Sequence, residues 1–224
     1  MGRKKLERFE DNKRSRNVIE VGKEHFGQLQ GKWNTDFFPE NQPIILEIGC
    51  GKGEYTVGLA AEYPQNNYIG ADVKGSRIWK GSQVAEQQNL HNVAFLRTQV
   101  ERITDHFSPE EVSEIWITFP DPRPKDFEAD KRLTSPKFLE LYRKIIKQSG
   151  IVRFKTDNRS LFDYTLEMLQ GLNIVPLAVT FDFYNSEYSD LVHGIKTTYE
   201  SRYVAQGLPI HYLAFTFGAD LNLA

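Results

Sequence analysis

The sequence has little cysteine, few histidines and almost no excess charge, and each shortage excludes a class of protein. Its only cysteine, Cys50, has no partner within the chain for a disulfide. No apolar run is long enough to cross a bilayer, and none near the start resembles a secretion signal. The five histidines lack the close spacing of a zinc site. We therefore expect a cytoplasmic protein with no bound metal and no membrane span.

The formal net charge of -2 excludes a protein that coats nucleic acid indiscriminately, because such binding needs many Lys and Arg contacts to phosphates. Positive charge is concentrated in the first sixteen residues, where seven Lys and Arg stand against three acidic residues. This stretch is either a disordered, solvated tail or an arm that grips a nucleic-acid backbone. We predict a basic N-terminal arm over residues 1–40 and one catalytic domain over residues 41–224.

Short β-branched or aromatic runs alternate with helix-length polar segments, at residues 44–48, 68–73, 93–96, 114–119 and 151–155. This rhythm predicts βαβ units and a parallel sheet. Two longer strand-like runs, 174–183 and 210–217, flank an amphipathic stretch at about 196–205. We therefore predict an α/β, Rossmann-like fold with a mostly parallel seven-stranded sheet that ends in an antiparallel strand pair.

A glycine-rich turn follows the first of these strands, with the sequence Glu47-Ile48-Gly49-Cys50-Gly51-Lys52-Gly53. Glycines permit a sharp turn and let a ligand approach the backbone. A dinucleotide fingerprint needs Gly or Ala where this chain has Glu54, which disfavours NAD. The carboxylates of Glu47 and Asp72 end two successive strands and suit a ligand with an ammonium and a ribose, as in S-adenosylmethionine. The alternative is a purely structural turn.

Three further blocks carry a resemblance to a known family. They are the Pro-rich segment 119–125 with Lys131-Arg132-Leu133, the strand end Phe154-Lys155-Thr156-Asp157-Asn158, and Thr197-Thr198-Tyr199-Glu200. Read beside the glycine-rich turn, they make residues 40–217 resemble the tRNA (guanine-N7-)-methyltransferase family. The resemblance implies a class I methyltransferase fold, S-adenosyl-L-methionine as cofactor and tRNA as partner. It also implies guanine 46 of the variable loop as the target.

The resemblance assigns roles residue by residue. It implies that the catalytic residue is Asp121. The cofactor contacts that it implies, together with those expected from the glycine turn, are Glu47, Gly49, Gly51, Asp72, Gln99 and Asp121. The substrate contacts are Lys125, Asp157, Thr197, Tyr199 and Glu200. Gln99 is also the residue that we expect at the adenine, because its amide both donates and accepts. Related folds act alone or in pairs, so a monomer and a homodimer both remain open.

Guanine N7 bears no proton at neutral pH, so its methylation needs alignment more than a general base. A fixed carboxylate at Asp121 would orient the base and stabilise the positive charge that develops on it. The pattern also predicts a helix over about 135–148 that carries the first cations of a second basic stretch. This stretch, over 137–159, is either part of a tRNA-binding face or an ordinary solvated surface. Two other functions also remain open. One is methylation of a small molecule or protein, and the other is RNA binding without catalysis.

Overall fold

An eight-stranded sheet forms the centre of the structure, a computed structural model that describes residues 3–218, with side chains from residue 5. The strands are β1 Val18–Ile19, β2 Ile44–Ile48, β3 Asn67–Asp72, β4 Val93–Arg97, β5 Val112–Thr118, β6 Ile146–Thr156, β7 Ala178–Thr180 and β8 His211–Phe215. Their order in the sheet is β1-β4-β3-β2-β5-β6-β8-β7. Neighbours from β1 to β6 are parallel, whereas β8 lies antiparallel between β6 and β7.

The predicted α/β fold, with a mostly parallel sheet and C-terminal antiparallel strands, is confirmed. The sheet has eight strands instead of seven, because the two-residue strand β1 pairs with β4. A strand this short has no periodicity to detect. The run 174–183 forms strand only at Ala178–Thr180, and β6 begins at Ile146, inside the segment predicted to be helical to residue 148.

Helices cover the sheet on both sides. The bounds are α1 Arg3–Arg14, α2 Glu54–Glu62, α3 Gly75–Gln87, α4 Pro136–Ile145, α5 Arg159–Gly171 and α6 Thr198–Val204. Local sequence sets several starts, because Pro136 occupies the first turn of α4 and the Asn158 side chain accepts from the amide of Leu161 to cap α5. Helices α4 and α5 pack over one apolar cluster, and α2 and α3 over another.

The N-terminal segment packs against the rest of the chain. Trp33, which is 1% exposed, joins the same apolar cluster as β2. Helix α1 lies on α3, where the Asn12 amide donates to the carbonyl of Gly75 at 2.8 Å and the Trp79 indole donates to Asp11 at 2.9 Å. Residues 3–14 of the basic stretch thus form a docked helix and not a free tail. Residues 1–2 and 219–224, at the ends of the two predicted segments, lie outside the described residues.

Within residues 3–218, no helix combines the length and apolar character that a membrane crossing requires. The same residues contain no group of three or more His, Cys, Asp or Glu side chains arranged to hold a metal ion. The one cysteine, Cys50, is buried.

Candidate active site

The glycine turn after β2 has three left-handed residues, with φ of 72° at Gly49, 57° at Gly51 and 70° at Gly53. The amides of Gly49 and Cys50 both donate to the carbonyl of Ala71, at 2.8 and 3.0 Å. A Cβ at Gly53 would lie 2.4 Å from the Phe95 ring, so only glycine fits there. The turn is thereby fixed against the end of β3.

Asp72 joins two turns at the carboxyl end of the sheet. Its Oδ2 accepts from the Gly51 amide at 2.9 Å, and its Oδ1 accepts from the Lys74 amide at 2.7 Å. The side chain is buried at the last position of β3. Each carboxylate oxygen has a second lone pair, so Asp72 can hold the turn and still accept from a ligand hydroxyl.

Glu47 is buried near the end of β2, the strand that neighbours β3 in the sheet. Its Oε2 accepts from both the amide and the hydroxyl of Thr56, and its Oε1 accepts from the Thr118 hydroxyl at 2.7 Å. Burial is the main cause that raises the pKa of Glu47 from 4.5 to about 7. A cation beside Oε1 would favour the ionised carboxylate, so the position suits an ammonium group.

A cavity of about 630 Å³ opens in front of the glycine turn. Its lining includes Asp121 and five other residues that the sequence singled out. The five are Gly49, Gly51, Asp157, Thr197 and Tyr199. Side chains and turns that are up to 150 residues apart in sequence therefore meet in one place, at the carboxyl ends of the central strands.

Asp121 lies on a loop that leaves β5 in an unusual conformation. Phe119 and Arg123, on either side of it, have φ of 48° and 45°, a region that side chains with a Cβ disfavour. The Phe119 amide donates to the carbonyl of Lys155 at 2.9 Å, which anchors the start of the loop. The Asp121 side chain lines the cavity, is 65% exposed and has Arg123 Nε 3.4 Å from its Oδ2.

Asp157 faces the same cavity from the end of β6. Its Oδ2 accepts from the Tyr199 hydroxyl at 3.0 Å, and the Tyr199 ring packs edge-on against Phe119 with centroids 5.8 Å apart. The neighbouring Asn158, and not Asp157, caps the following helix. Asp157 therefore does not cap the helix, and its side chain lines the cavity.

Glu200 does not line this cavity. It is fully buried, and its carboxylate lies 2.7 Å from the Lys155 ammonium. It also accepts from the hydroxyls of Tyr55 and Tyr184 at 3.0 and 2.6 Å. Thr197 and Glu200 form a capping box at the start of α6, in which each side chain accepts from the other's backbone amide. The structure thus places Glu200 behind the cavity wall, where it holds Thr197.

Lys155 is the residue that sequence reasoning missed. It was counted in the second basic stretch, but it is 0% exposed and has the Phe183 ring centroid 3.8 Å from its ammonium. Burial is the main cause that lowers its pKa from 10.5 to about 8. A lysine inside a strand buried on both faces was the available signal, because such a position needs an anionic partner.

Most other cations of that stretch are paired locally. Arg143 and Lys144 lie 3.0 and 3.6 Å from the carboxylate of Glu140, and Arg159 lies 2.8 Å from Asp163. Each of these cations has a carboxylate beside it, so the positive charge of the stretch is smaller than its number of Lys and Arg suggests. The stretch is a poor candidate for a continuous tRNA-binding face.

Four other predicted residues do not line the 630 Å³ cavity, namely Lys125, Gln99, Glu47 and Asp72. Glu47 and Asp72 lie directly behind it, hydrogen-bonded to the lining residues Thr118 and Gly51. Lys125 is exposed and its ammonium lies 5.5 Å from the Phe127 ring centroid. Gln99 lines a separate cavity of about 340 Å³ with Val73 and Thr98. Because Val73 directly follows Asp72, this second cavity adjoins the position expected for a ribose.

Comparisons with known proteins agree with this arrangement. A family model described as a putative methyltransferase matches residues 41–213. The tRNA (guanine-N(7)-)-methyltransferase of Cytophaga hutchinsonii is 48% identical over 219 residues, which cover 97% of this chain and 99% of that relative. The protein of the same name from Bacteroides thetaiotaomicron is 44% identical over 220 residues, covering 96% of this chain and 86% of the relative.

Solved structures show the same fold at low identity. The 16S rRNA methyltransferase KamB matches with a TM-score of 0.63 and 15% identity, over 91% of this chain and 99% of that one. An antibiotic-related methyltransferase matches with a TM-score of 0.60 and 17% identity, over 90% of this chain and 96% of that one. The motifs, the full-length similarity and the fold agree, and the chain therefore belongs to the tRNA (guanine-N7-)-methyltransferase family.

Proposed function

We propose that this protein transfers a methyl group from S-adenosyl-L-methionine to N7 of a guanine in tRNA, and that the target is guanine 46 of the variable loop. The observation that carries the proposal is the single cavity in which the glycine turn, Asp121, Asp157 and Tyr199 meet. Relatives at 44 to 48% identity that bear the name tRNA (guanine-N(7)-)-methyltransferase support the reaction.

The residues at the strand ends fit the cofactor. Glu47 retains a lone pair on Oε1 for an ammonium, and Asp72 retains lone pairs for ribose hydroxyls. Gln99 and the half-exposed Val73 line the adjoining cavity, which offers an amide and an apolar surface to an adenine. Gly49 and Gly51 let the ligand approach the backbone. When bound, the cofactor supplies a methyl carbon activated by a sulfonium.

Asp121 acts on the guanine. Guanine N7 carries a lone pair and no proton, so no residue has to remove one. Positive charge accumulates on the purine as N7 is methylated, and a carboxylate held beside the base stabilises that charge. The left-handed residues and prolines that flank Asp121 restrict its loop, which limits the entropy lost when the base is aligned.

The remaining residues hold the substrate around this centre. Asp157 and Tyr199 present a carboxylate and a hydroxyl on one wall of the cavity, where they are positioned to contact the guanine edge. Thr197 lies at the start of α6 beside them. Lys125, exposed on the loop after Asp121, is placed to meet a phosphate. Glu200 contributes by fixing the first turn of α6.

The proposal extends to organisation and location. We assign residues 1–40 to an N-terminal extension and residues 41–224 to the methyltransferase domain, which the start of the family model at residue 41 supports. The described part of the extension docks on that domain through α1. We place the protein in the cytoplasm with its tRNA partner, as a monomer or homodimer.

The test combines transfer and mapping. The protein is incubated with labelled cofactor and unmodified tRNA, and the product is cleaved chemically at N7-methylguanine. We expect one cleavage, at guanine 46. Label that goes to small molecules or protein but not to RNA would contradict the proposal, and failure to bind the cofactor would favour a non-catalytic RNA-binding protein.

Two substitutions separate the roles. Asp121→Ala is expected to abolish most methyl transfer and leave calorimetric cofactor affinity near normal, whereas Glu47→Ala weakens cofactor binding. Asp126→Ala, an exposed carboxylate on the same loop outside the cavity, is the matched control. Full turnover in Asp121→Ala would refute the role of that carboxylate.

A further inference from the structure

A second cavity, of about 640 Å³, lies beside the active site between α1, α2 and α3. We call it the α1–α3 groove. It shares four lining residues with the active-site cavity, namely Lys52, Glu54, Arg77 and Thr198. The two cavities are therefore neighbours along one continuous surface, and a polymer that enters one is placed to enter the other.

The charge of this groove is opposite to that of the whole protein. Four cations line it, contributed by Arg8, Lys52, Arg77 and Lys80, against the single carboxylate of Glu54. That carboxylate is already engaged, because it accepts from the amide of Thr198 at 3.1 Å and from its hydroxyl. The chain carries a formal net charge of -2, so positive charge is concentrated locally at this groove.

The groove cations are available to a ligand. Across the described part of the chain, none of Lys52, Arg77 and Lys80 takes part in a salt bridge. This contrasts with Arg143 and Lys144 on α4, which are paired with Glu140. Unpaired cations at the rim of a cavity attract a polyanion, and phosphates are the anions that a substrate RNA supplies.

The floor of the groove is apolar and aromatic. Val57, Ala61 and Val84 line it together with the ring of Trp79. The Arg8 guanidinium lies over that ring, 4.8 Å from a centroid, and makes a mixed stacking surface. A duplex would present only its backbone to this floor, whereas unpaired nucleotides present base faces to apolar surface and phosphates to the cations.

We propose that the α1–α3 groove binds single-stranded nucleotides of the tRNA next to the methylated guanine, with phosphates on Lys80 and Arg8 and a base against Trp79. The inference rests on the proposed function and adds a subsite to it. It also gives the docked helix α1 a role, since α1 supplies Arg8 and supports Trp79 through Asp11.

The first experiment measures tRNA affinity by filter binding over a range of salt. The variant Arg8→Ala/Lys80→Ala changes two cations that line only the groove, and Lys32→Ala/Lys147→Ala is the control, with two exposed lysines elsewhere. Loss of two phosphate contacts lowers affinity by about ten-fold or more and reduces the salt slope by roughly two. The control keeps wild-type affinity and slope.

The second experiment uses tryptophan fluorescence. Of the three tryptophans, Trp33 and Trp116 are 1% and 3% exposed, so Trp79 is the one that RNA can reach. We expect tRNA and short single-stranded RNA to quench the emission of the full chain. Trp79→Phe removes most of this quenching while the protein still binds tRNA. A quench that persists undiminished in Trp79→Phe overturns the assignment.

Failure of this inference is distinguishable from failure of the proposed function. If wild-type protein does not methylate tRNA, the proposed function fails. If wild-type protein methylates tRNA and Arg8→Ala/Lys80→Ala binds it as tightly as the control variant, with the same salt slope, the groove alone is refuted.

Discussion

Removing the buried ammonium of Lys155 should destabilise the fold and the active site together. Lys155 and Glu200 are both 0% exposed, and the Lys155 Nζ also lies 2.6 Å from the Tyr55 hydroxyl. Lys155→Met keeps the length and apolar stem of the side chain but leaves the Glu200 carboxylate buried without a cation. Breaking a buried ion pair from one side costs about 3–5 kcal/mol, a large part of the ~5–15 kcal/mol that stabilises a typical domain.

The double variant separates charge pairing from simple loss of packing. In Lys155→Met/Glu200→Gln no buried charge is left unpaired, and the amide still accepts from the Tyr55 and Tyr184 hydroxyls. We expect it to recover most of the stability lost by Lys155→Met, because uncharged side chains in place of both partners leave no buried charge without a counter-ion. Lys144→Met, which breaks an exposed pair with Glu140, is the control and should cost less than about 1 kcal/mol.

The assay is urea unfolding, followed at pH 7.5 and pH 9.5. The folded-state pKa of Lys155 is about 8, below its ordinary 10.5, so the unfolded state binds more protons between these values. The wild-type free energy of unfolding therefore gains a contribution as pH rises from 8 to 10.5, which Lys155→Met lacks. The difference in the free energy of unfolding between wild type and Lys155→Met should therefore be larger at pH 9.5 than at pH 7.5. The coupling would be refuted if the stability losses of Lys155→Met and Glu200→Gln simply added up in the double variant. Equal stability of Lys155→Met and Lys144→Met would also refute it.

Three other substitutions test the site. Burial raises the pKa of Glu47 to about 7, so the stability that the protonated side chain contributes is complete below pH 4.5 and is lost as pH rises through 7. At pH 8, Glu47→Gln should therefore unfold at a higher urea concentration than wild type, because its amide is uncharged and can donate to Thr118. The same variant should bind the cofactor more weakly in calorimetry. Phe119→Gly should be about 1 kcal/mol more stable to urea than Phe119→Ala, because φ is 48° at this position and glycine adopts that conformation without strain. This reverses the usual order of glycine and alanine in a strand. Equal urea midpoints of the two variants would contradict a left-handed residue at position 119. Tyr199→Phe loses one exposed hydrogen bond to Asp157, so its urea midpoint should change little while its KM for tRNA rises; an unchanged KM would remove Tyr199 from the substrate wall.

The parts of the fold that sequence could predict are those with local signals. Strands β2 to β4 are short apolar runs, and the glycine turn is a contiguous motif whose residues require left-handed backbone. Strand β1, with two residues, has no pattern of its own and exists only because β4 offers an unpaired edge. The helix predicted to residue 148 ends at Ile145. The prediction is too long because the segment 146–148 continues an amphipathic pattern, although β6 begins there and Ile146 pairs with Val112.

The cavity residues were predictable as members of motifs, but their individual orientations were not. The pairing of Lys155 with Glu200 joins positions 45 residues apart, and no local pattern encodes it. Thr197-x-x-Glu200 is itself the sequence signature of a capping box, which was the available sign that Glu200 binds the backbone of its own helix. Motif membership indicated that Glu200 matters, whereas the contacts indicate how it acts.

The first turn of α6 connects these observations physically. Thr197 and Glu200 cap each other's backbone amides, and the Glu200 carboxylate pairs with the Lys155 ammonium at the end of β6. The Thr198 amide donates to the Glu54 carboxylate at the start of α2. The next residue, Tyr199, donates to Asp157 on the same wall of the cavity. Because Glu54 and Thr198 line both the active-site cavity and the α1–α3 groove, nucleotides bound in the groove would contact the same turn that positions Tyr199. Under the two proposals, flanking RNA and the target guanine would thus contact one structural element, which would favour substrates that occupy both cavities at once.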